Sequence, residues 1–283
     1  MNVAIIVSTQ DQAGMNIKEC LIETGRFESL DFKFHNHLVY EFKTELNVVR
    51  FFTTDNDSIS CEHIDSEIKQ SGFDVDKIIF ATKHQSEAGV HSLCVHVPGN
   101  WGGAAAGGRS RFLCNSMPRM MKQALLKLKE LSAETDYEVM QEVTHHGPEI
   151  NTPCLFIEIG SSNDSWINKL AGKILADTII YLLETNPPEF ECVIVLGGGH
   201  YSQPAEKLVF RTDYAVGHIC PKYALDKLDL ELLRNAIEKS DCKTEMIVID
   251  WKGLGEFKQK VTDLLEEVGL KFERIKRIEK NSE

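Results

Sequence analysis

Histidine is concentrated in one part of this sequence, and its placement suggests metal chemistry. Seven of the ten histidines lie between residues 84 and 218, beside glycine, proline or the ends of apolar runs: His84, His91, His96, His145, His146, His200 and His218. Histidine is the commonest metal ligand, and three or four converging imidazoles with a carboxylate suit Zn²⁺. Bound Zn²⁺ lowers the pKa of its water to about 7, which provides a nucleophile at neutral pH. The pattern predicts a zinc hydrolase with one or two ions.

Three stretches place these histidines beside sharp turns of the chain. They are Lys83-His84-Gln85-Ser86 leading to His96-Val97-Pro98-Gly99-Asn100, Thr144-His145-His146-Gly147-Pro148, and Gly197-Gly198-Gly199-His200-Tyr201. In each stretch an apolar run ends and glycine or proline turns the chain, which leaves a polar side chain at the carboxyl end of a strand. Ligands bind at that edge of open α/β sheets. We therefore predict that five side chains converge and bind the metal: His84, His96, His145, His146 and His200.

Glu158 lies within the apolar run Leu155–Ile159, where a carboxylate without a partner is costly to bury. A metal or a histidine would be that partner, and a buried Lys or Arg is the alternative. The predicted catalytic residues are Glu158, His145 and His146, with Glu158 as a metal ligand or as the general base for an activated water. The other two histidines of the group, His91 and His218, fit ordinary hydrogen-bonded core positions.

Other catalytic patterns are missing from the sequence. There is no GxSxG, HExxH, CxxC, GxGxxG or GK[ST] motif, so a serine hydrolase elbow, a thiol redox pair and the common nucleotide loops have no support. The glycine-rich run 99–108 could bind a phosphate through its backbone N–H groups, or it could be a flexible surface loop. Ser161 and Ser162 would cap a helix or, alternatively, form an anion site.

The charge distribution points to a local phosphate-binding face. The net charge of −12 argues against a surface that is basic throughout, yet residues 109–129 contain six basic side chains and no acid. From this segment we expect phosphate contacts by four residues: Arg109, Arg111, Arg119 and Lys122.

Short apolar runs predict the strands that must position these residues. The runs are Val3–Val7, Val48–Phe52, Lys77–Ala81, Leu93–Val97, Leu155–Ile159, Cys192–Leu196 and Met246–Ile249. Most are continuous and not alternating, which is typical of strands covered by helices on both faces. The sequence therefore predicts an α/β fold of three layers with a mixed or mostly parallel sheet, and a smaller α/β lobe at the C-terminus. We expect a catalytic domain over 1–211 and an extension over 212–283.

Helical patterns separate the strands. Ser116 is predicted to cap a helix that runs to Leu131, with Lys122 on the face turned away from the core. A second helix should follow residues 161–164 and end before Pro187, with an apolar face made of Trp166, Ile167, Leu170, Ile174 and Leu175. Two further helices are predicted over Leu225–Glu238 and Glu256–Val268.

The bulk composition is that of an ordinary globular protein. The chain has 283 residues, 42% of them hydrophobic and 26% charged, and no apolar run approaches the roughly 20 residues of a membrane span. The eight cysteines are scattered, which favours free buried thiols over a disulfide framework and a cytoplasmic location. We expect a monomer without membrane contact and without a signal peptide.

The three histidine and glycine stretches resemble a known family. Thr144–Pro148, the run Phe156–Ser162 ahead of Trp166, and Gly197–Tyr201 are similar to the archaeal and plant type of D-aminoacyl-tRNA deacylase. Asn2–Ser8 and His96–Asn100 also resemble that family, so the likeness spans nearly the whole chain. One departure is Thr82-Lys83-His84, where the family pattern has Ser-Arg-His, and this difference should alter a contact and not the role of the histidine.

The resemblance implies a zinc-dependent esterase with a phosphorylase/hydrolase-like core, similar to peptidyl-tRNA hydrolase, and a C-terminal α/β extension. It also implies hydrolysis of D-aminoacyl-tRNA to free D-amino acid and tRNA, as a part of translation quality control. The four basic residues named above would then contact phosphates of the tRNA acceptor end. The alternatives are a zinc peptidase or amidohydrolase, a non-catalytic tRNA-binding module and, with less support, a phosphorylase.

Overall fold

A computed structural model describes residues 1–87 and 89–282, the last four of them by backbone only. The larger of its two sheets contains eight strands: β1 (Asn2–Ser8), β2 (Glu28–Phe34), β3 (His37–Lys43), β4 (Val48–Thr54), β5 (Lys77–Lys83), β6 (Ser92–His96), β7 (Glu138–Gln141) and β8 (Cys154–Gly160). Their order is β2-β3-β4-β1-β5-β8-β6-β7. Strands β4, β1, β5 and β8 are parallel to one another, whereas β6 is antiparallel to β8, so the sheet is mixed.

The smaller sheet contains four parallel strands: β9 (Glu191–Leu196), β10 (Tyr214–Cys220), β11 (Thr244–Ile249) and β12 (Phe272–Arg274). Their order is β10-β9-β11-β12. The two sheets confirm the predicted α/β class with a mixed sheet and a second, smaller unit. The first strand of the smaller sheet precedes residue 212, and Glu283 lies outside the described residues. The division into 1–211 and 212–283 stays a prediction.

Nine α-helices occur in the described part of the chain: α1 (Gln12–Glu23), α2 (Ile64–Gln70), α3 (Pro118–Leu131), α4 (Asn163–Trp166), α5 (Lys169–Glu184), α6 (Gln203–Arg211), α7 (Leu230–Glu238), α8 (Lys258–Val268) and α9 (Ile275–Ser282). Helices α1 and α5 pack against each other, α1 also against β1 and β5, and α5 also against β8. Helix α3 contacts both β6 and β10, and it therefore links the two sheets.

All seven predicted strands are present, because continuous buried Val, Ile and Phe runs leave little choice of conformation. Some helix details are wrong. The cap position of α3 is Met117 and not Ser116, whose hydroxyl donates to the carbonyl oxygen of Lys239. The predicted helix over Leu225–Glu238 begins only at Leu230, because Asp229 caps it by accepting from the N–H of Leu232.

Three side chains lie on the opposite face from the one that helical spacing predicted. Ile167 and Leu170 were expected in the core, but they are 54% and 53% exposed, because the predicted second helix is interrupted between α4 and α5. Lys122 was expected in solvent, but it is only 2% exposed, because α3 is covered by the smaller sheet on that side. The apolar face predicted from the periodicity of one isolated helix takes no account of a helix break or of packing by a second sheet.

Six of the eight cysteines are free and buried, as predicted. The prediction is wrong for Cys192 and Cys242, which form a disulfide over a sequence separation of 50 residues. The register of the smaller sheet explains the pairing, because Cys192 of β9 lies opposite Thr244 of β11, two residues after Cys242. None of the helices in the described residues is long and apolar enough to cross a bilayer.

Candidate active site

Neighbouring strands of the larger sheet place three of the predicted residues on one side. His84 directly follows the carboxyl end of β5, where the sequence predicted a ligand edge. Glu158 lies within β8, and His96 ends β6 opposite Phe156, against which its ring stacks with centroids 5.2 Å apart. Since β6 is antiparallel to β8, His96 reaches the pocket from inside the sheet and not from the predicted edge.

The remaining histidines come from loops. His145 and His146 follow β7 on a segment that bridges to Pro98. His200 and Tyr201 follow β9 and therefore belong to the smaller sheet. Gly197 turns the chain between β9 and His200 with a φ of 100°, a conformation that side chains with a Cβ rarely adopt. The site is thus assembled from both sheets.

The five predicted histidines do converge. Ring centroids lie 4.4 Å apart for His96 and His145, 4.3 Å for His145 and His146, and 4.7 Å for His145 and His200. Four of the five border a cavity of about 430 Å³, and His96 is buried behind them. The walls of the cavity are formed by Asp11, Asp57, Ser58, Ile59, Thr82, Lys83, His84, Gln85, Ala106, His145, His146, Phe156, Glu158 and His200. The convergence confirms the geometric part of the prediction, and the role of each residue stays a prediction.

A residue that the sequence did not reveal lies in the middle of the group. The carboxylate of Glu142 is fully buried, with Oε1 2.9 Å from Nδ1 of His84. Its Oε2 lies 3.7 Å from Nε2 of His145, 3.8 Å from that of His200 and 4.0 Å from that of His96. The nearby histidines hold the pKa of Glu142 far below its usual range in spite of burial, which acts in the other direction. The one sequence signal was a carboxylate directly after a strand and three residues before His145.

The second carboxylate, Glu158, has the partners that its burial requires. Its Oε1 accepts a hydrogen bond of 2.8 Å from the Thr82 hydroxyl. Its Oε2 lies 3.5 Å from Nε2 of His96 and 3.8 Å from Nδ1 of His84. The charged partners of Glu158 are therefore histidines. Among the described residues, no Lys or Arg pairs with it, so that alternative is not supported.

Hydrogen bonds to the backbone determine the protonation of two histidines. Nδ1 of His145 donates to the carbonyl oxygen of Val143 at 2.8 Å, and Nδ1 of His146 donates to that of Gly147 at 2.6 Å. Burial lowers the pKa of His145 well below its ordinary value and that of His146 to about 4, helped in both cases by His96. Both rings are therefore neutral near pH 7 and carry a lone pair on Nε2.

The pKa values of the other histidines of the site are shifted in opposite directions. Burial disfavours the charged forms of His84 and His96, but Glu142 and Glu158 outweigh burial and raise both pKa values. Burial lowers the pKa of His200. Tyr201 completes the wall, with its hydroxyl 2.9 Å from Nε2 of His84.

Asp11 is a second pocket residue that the sequence did not reveal. Its carboxylate caps α1 by accepting from the N–H of Gly14, and it also accepts from the N–H of Lys83, each at 2.8 Å. Burial raises its pKa to about 6 against the opposing effect of these bonds. Asp11 therefore fixes the segment that carries His84.

This set of donors fits a metal ion. Three groups have their potential ligand atoms within 4.8 Å of one another: His96, His145 and His146; His84, Glu142 and His200; and His96, Glu142 and Glu158. The lone pair on Nε2 of His145 lies 3.7 Å from Oε2 of Glu142, and a cation would stabilise two buried acceptors that face each other in this way. Among the described residues, Nε2 of His96 and Oε2 of Glu142 are buried without a hydrogen-bond partner. Imidazoles whose other nitrogen donates to a carbonyl are typical metal ligands.

Two histidines lie elsewhere. His218 is fully buried and hydrogen-bonded on both nitrogens, as predicted for a core histidine. His91 pairs at the surface with Asp136 at 2.9 Å, so its predicted core position is wrong.

The predicted phosphate contacts lie outside the pocket. Arg109, Arg111 and Arg119 pair within the protein, with Glu149, Asp229 and Glu189 respectively. Lys122 donates to the carbonyl oxygens of Thr212 and Tyr214, so its predicted contact with solvent phosphate is wrong. A larger hollow of about 710 Å³ beside Lys122 contains neither the histidines nor Glu142. It therefore has no part in metal chemistry.

The glycine-rich run is packed against the protein. The N–H of Gly108 donates to Glu62 at 2.6 Å, and a Cβ on Gly107 would lie 1.8 Å from the carbonyl oxygen of Ile59. Ser162 occupies the position before α4, where its side chain makes no capping bond to a described residue. The Ser161 hydroxyl donates to the carbonyl oxygen of Val90.

Comparison with known proteins gives one consistent result. The family model described as D-aminoacyl-tRNA deacylase matches residues 71–273. The D-aminoacyl-tRNA deacylase of Thermococcus kodakarensis is 42% identical over 275 residues, which cover 95% of this chain and 99% of the relative. That of Pyrococcus furiosus is 40% identical over 272 residues, covering 95% and 98%. The crystal structure of a conserved protein of unknown function, AF0625, has a TM-score of 0.88 at 30% identity and covers 99% of this chain and 97% of that one.

Proposed function

Because the chain belongs to the D-aminoacyl-tRNA deacylase family, we propose that its pocket of five histidines and two glutamates cleaves the ester between a D-amino acid and tRNA. The protein is a hydrolase of aminoacyl-tRNA, and the peptidase and binding-module alternatives are not favoured. The observation that carries the site assignment is the convergence of unprotonated imidazole nitrogens on buried carboxylates.

The metal of this pocket is proposed to be zinc. Neutral imidazoles and carboxylates are its common ligands, and three donor groups, one of which shares a residue with each of the others, leave room for one ion or two. The residues proposed to bind it are His84, His96, His145, His146 and His200, with Glu142 between them. When bound, zinc would polarise the ester carbonyl and lower the pKa of a water.

The side chains of the pocket supply the remaining chemistry. Glu158 is held through one oxygen by Thr82, and its other oxygen faces the histidines, which suits a base that accepts a proton from the attacking water. His145 and His146 are fixed by their backbone bonds and bring unprotonated Nε2 atoms to the reaction site. Asp11 positions His84 through the backbone of Lys83.

The substrate implies the partner and the place of action. The partner is the acceptor end of D-aminoacyl-tRNA, and Arg109, Arg111 and Arg119 stay candidates for contacts with the tRNA body. We propose that the protein acts as a monomer in the cytoplasm, where aminoacyl-tRNA is used, and that it keeps D-amino acids out of translation.

The experiment is deacylation of D-tyrosyl-tRNA and L-tyrosyl-tRNA by the full chain, before and after chelation and after zinc is restored. We expect rapid loss of the D-ester alone, abolished by chelator and recovered with zinc. Survival of both esters with zinc-loaded protein would exclude the function. Loss of the D-ester that no chelator affects would exclude the metal and leave the function standing.

A further inference from the structure

One side of the pocket mouth carries a cation that the proposed chemistry does not use. Lys83 borders the pocket directly before His84. Among the residues that the structure describes, no carboxylate lies within ion-pair distance of its Nζ, which instead lies 5.6 Å from the centre of the Trp166 ring. The other basic residues that the sequence suggested for phosphate binding pair with acids or are buried. Lys83 is thus an available cation next to the reaction site.

Apolar residues follow Trp166, whose ring lies next to this cation, along the chain. Nε1 of Trp166 donates to the carbonyl oxygen of His84 at 2.9 Å, which fixes the half-buried indole to the pocket wall. Ile167 and Leu170 follow on the next turn and are 54% and 53% exposed. We call these four residues the lip: Lys83, Trp166, Ile167 and Leu170.

We propose that the lip binds the single-stranded 3′ end of the aminoacyl-tRNA, with Nζ of Lys83 on a backbone phosphate and the apolar side chains against the terminal base. The inference rests on the proposed function, because the ester is attached to the ribose of the terminal nucleotide. Once the ester lies among the histidines, the base and phosphate of that nucleotide must lie at the mouth. Aromatic and apolar surfaces bind unpaired bases without regard to sequence, and a basic side chain follows the backbone.

Charge supports this occupant. The protein has a net charge of −12, and the pocket is lined by Asp11, Asp57 and Glu158, so a polyanion approaching the site is repelled unless a cation lies at the mouth. The lip offers one such cation beside an indole ring and two exposed apolar side chains. A second copy of the acidic chain would bring like charge to the same place.

The first test measures kinetics with zinc-loaded, full-length protein and D-tyrosyl-tRNA. Lys83→Gln should raise KM about tenfold, with a smaller change in kcat, and should reduce the slope of log affinity against log salt by about one unit. Lys83→Arg should restore most of the loss. The matched control is Lys173→Gln, which removes an exposed lysine of α5 that does not border the pocket. An unchanged KM and salt slope in Lys83→Gln would overturn the proposal.

The second test measures binding of an ACCA RNA tetranucleotide by fluorescence anisotropy. The double variant Ile167→Ser and Leu170→Ser should bind at least five times more weakly than the wild type. The matched control is Leu126→Ser, at a residue of α3 that is 39% exposed and distant from the pocket. No binding by the wild type, equal binding by the double variant, or a dimer that the double variant dissociates would each overturn the proposal.

Trp166→Phe separates binding from a purely structural role. Phenylalanine keeps an aromatic face for the base but loses the N–H that bonds to His84. We expect ACCA binding to stay within about threefold while kcat falls, and loss of both together would contradict a stacking role. The lip and the proposed function fail separately. ACCA binding without any hydrolysis of D-tyrosyl-tRNA would exclude the proposed function. A hydrolysis rate and KM that are unchanged in every lip variant would exclude the proposed role of the lip.

Discussion

Two buried histidines of this protein have opposite surroundings. His96 in the pocket and His218 of β10 are both fully buried. Both nitrogens of His218 have protein partners, with Nε2 donating to the carbonyl oxygen of Lys239 at 3.0 Å and Nδ1 3.2 Å from the Thr144 hydroxyl. Nε2 of His96 has none among the described residues and faces the carboxylates of Glu142 and Glu158. Burial lowers the pKa of His218 to about 4, whereas the carboxylates outweigh burial and raise that of His96.

The difference separates a residue that stabilises the fold from one that stabilises a ligand. We call the region where Thr144 of the larger unit meets His218 and Ile219 of β10 the seam. In the seam the protein satisfies its own polar groups, which is the usual state of buried ones. In the pocket it leaves acceptors facing one another, and such an arrangement is costly without an added cation.

The largest expected effect tests the pocket. Glu142→Gln should lower kcat/KM on D-tyrosyl-tRNA by about a thousandfold and release bound metal, because the central carboxylate contacts four histidines. Kinetics and metal analysis measure both effects, and Glu138→Gln, at an exposed position of β7, is the control. A variant that retains its metal and its activity would contradict the assignment.

The next effect tests the seam. His218→Phe should reduce the free energy of unfolding by about 3 kcal/mol, because it removes two buried hydrogen bonds and leaves their partners unpaired. The activity of the folded variant should stay within about twofold. Urea denaturation measures the first quantity. A full loss of activity without loss of stability would mean that His218 belongs to the pocket after all.

The pH dependence of stability should distinguish the two histidines further. The folded pKa of His218 is about 4, below the ordinary 6.5, so the unfolded chain binds more protons between these values. The stabilising contribution is therefore complete above pH 6.5 and declines as the pH falls. The difference in unfolding free energy between wild type and His218→Phe should shrink by about 2 kcal/mol from pH 6.5 to 5, measured on metal-free protein. A constant difference would show that His218 is not held neutral.

The smallest expected loss of stability concerns Thr144, which contacts the seam and directly precedes His145 of the pocket. Its hydroxyl accepts from the N–H of Ile219 and contacts His218, and the next residue is His145. Thr144→Val should cost about 1 kcal/mol of stability, and a double-mutant cycle with His218→Phe should show coupling. Additive losses would mean that the two side chains do not act as a unit.

The sequence predicted well where one local property decides the outcome. Continuous apolar runs identified seven of the twelve strands in the described residues, and strand ends with glycine or proline turns identified the five histidines that converge. The sequence did not predict features that depend on contacts with distant parts of the chain. Lys122 is buried by the smaller sheet, and the Cys192–Cys242 disulfide depends on the register between β9 and β11.

Glu142 was missed for a related reason. Its only local signal is its place three residues before His145, and its importance comes from histidines 58 residues before it and 58 after it, His84 and His200. The acidic partners of the arginines were missed in the same way, because they are remote in sequence, as Asp229 is for Arg111. A carboxylate or a guanidinium gains its role from the fold and not from its neighbours in the chain.

The contribution of His200 and Tyr201 from the smaller sheet has a consequence for the order of synthesis. Both residues follow β9, a strand that is paired on either side by strands made later, β10 and β11. An unpaired strand is not stable in water. The loop with His200 is therefore expected to become ordered only after β11, which ends at Ile249, has left the ribosome. A chain synthesised only as far as β9 therefore lacks a complete site, although six of its seven central groups precede His200 in the sequence. We therefore expect a chain whose smaller sheet is incomplete to be inactive.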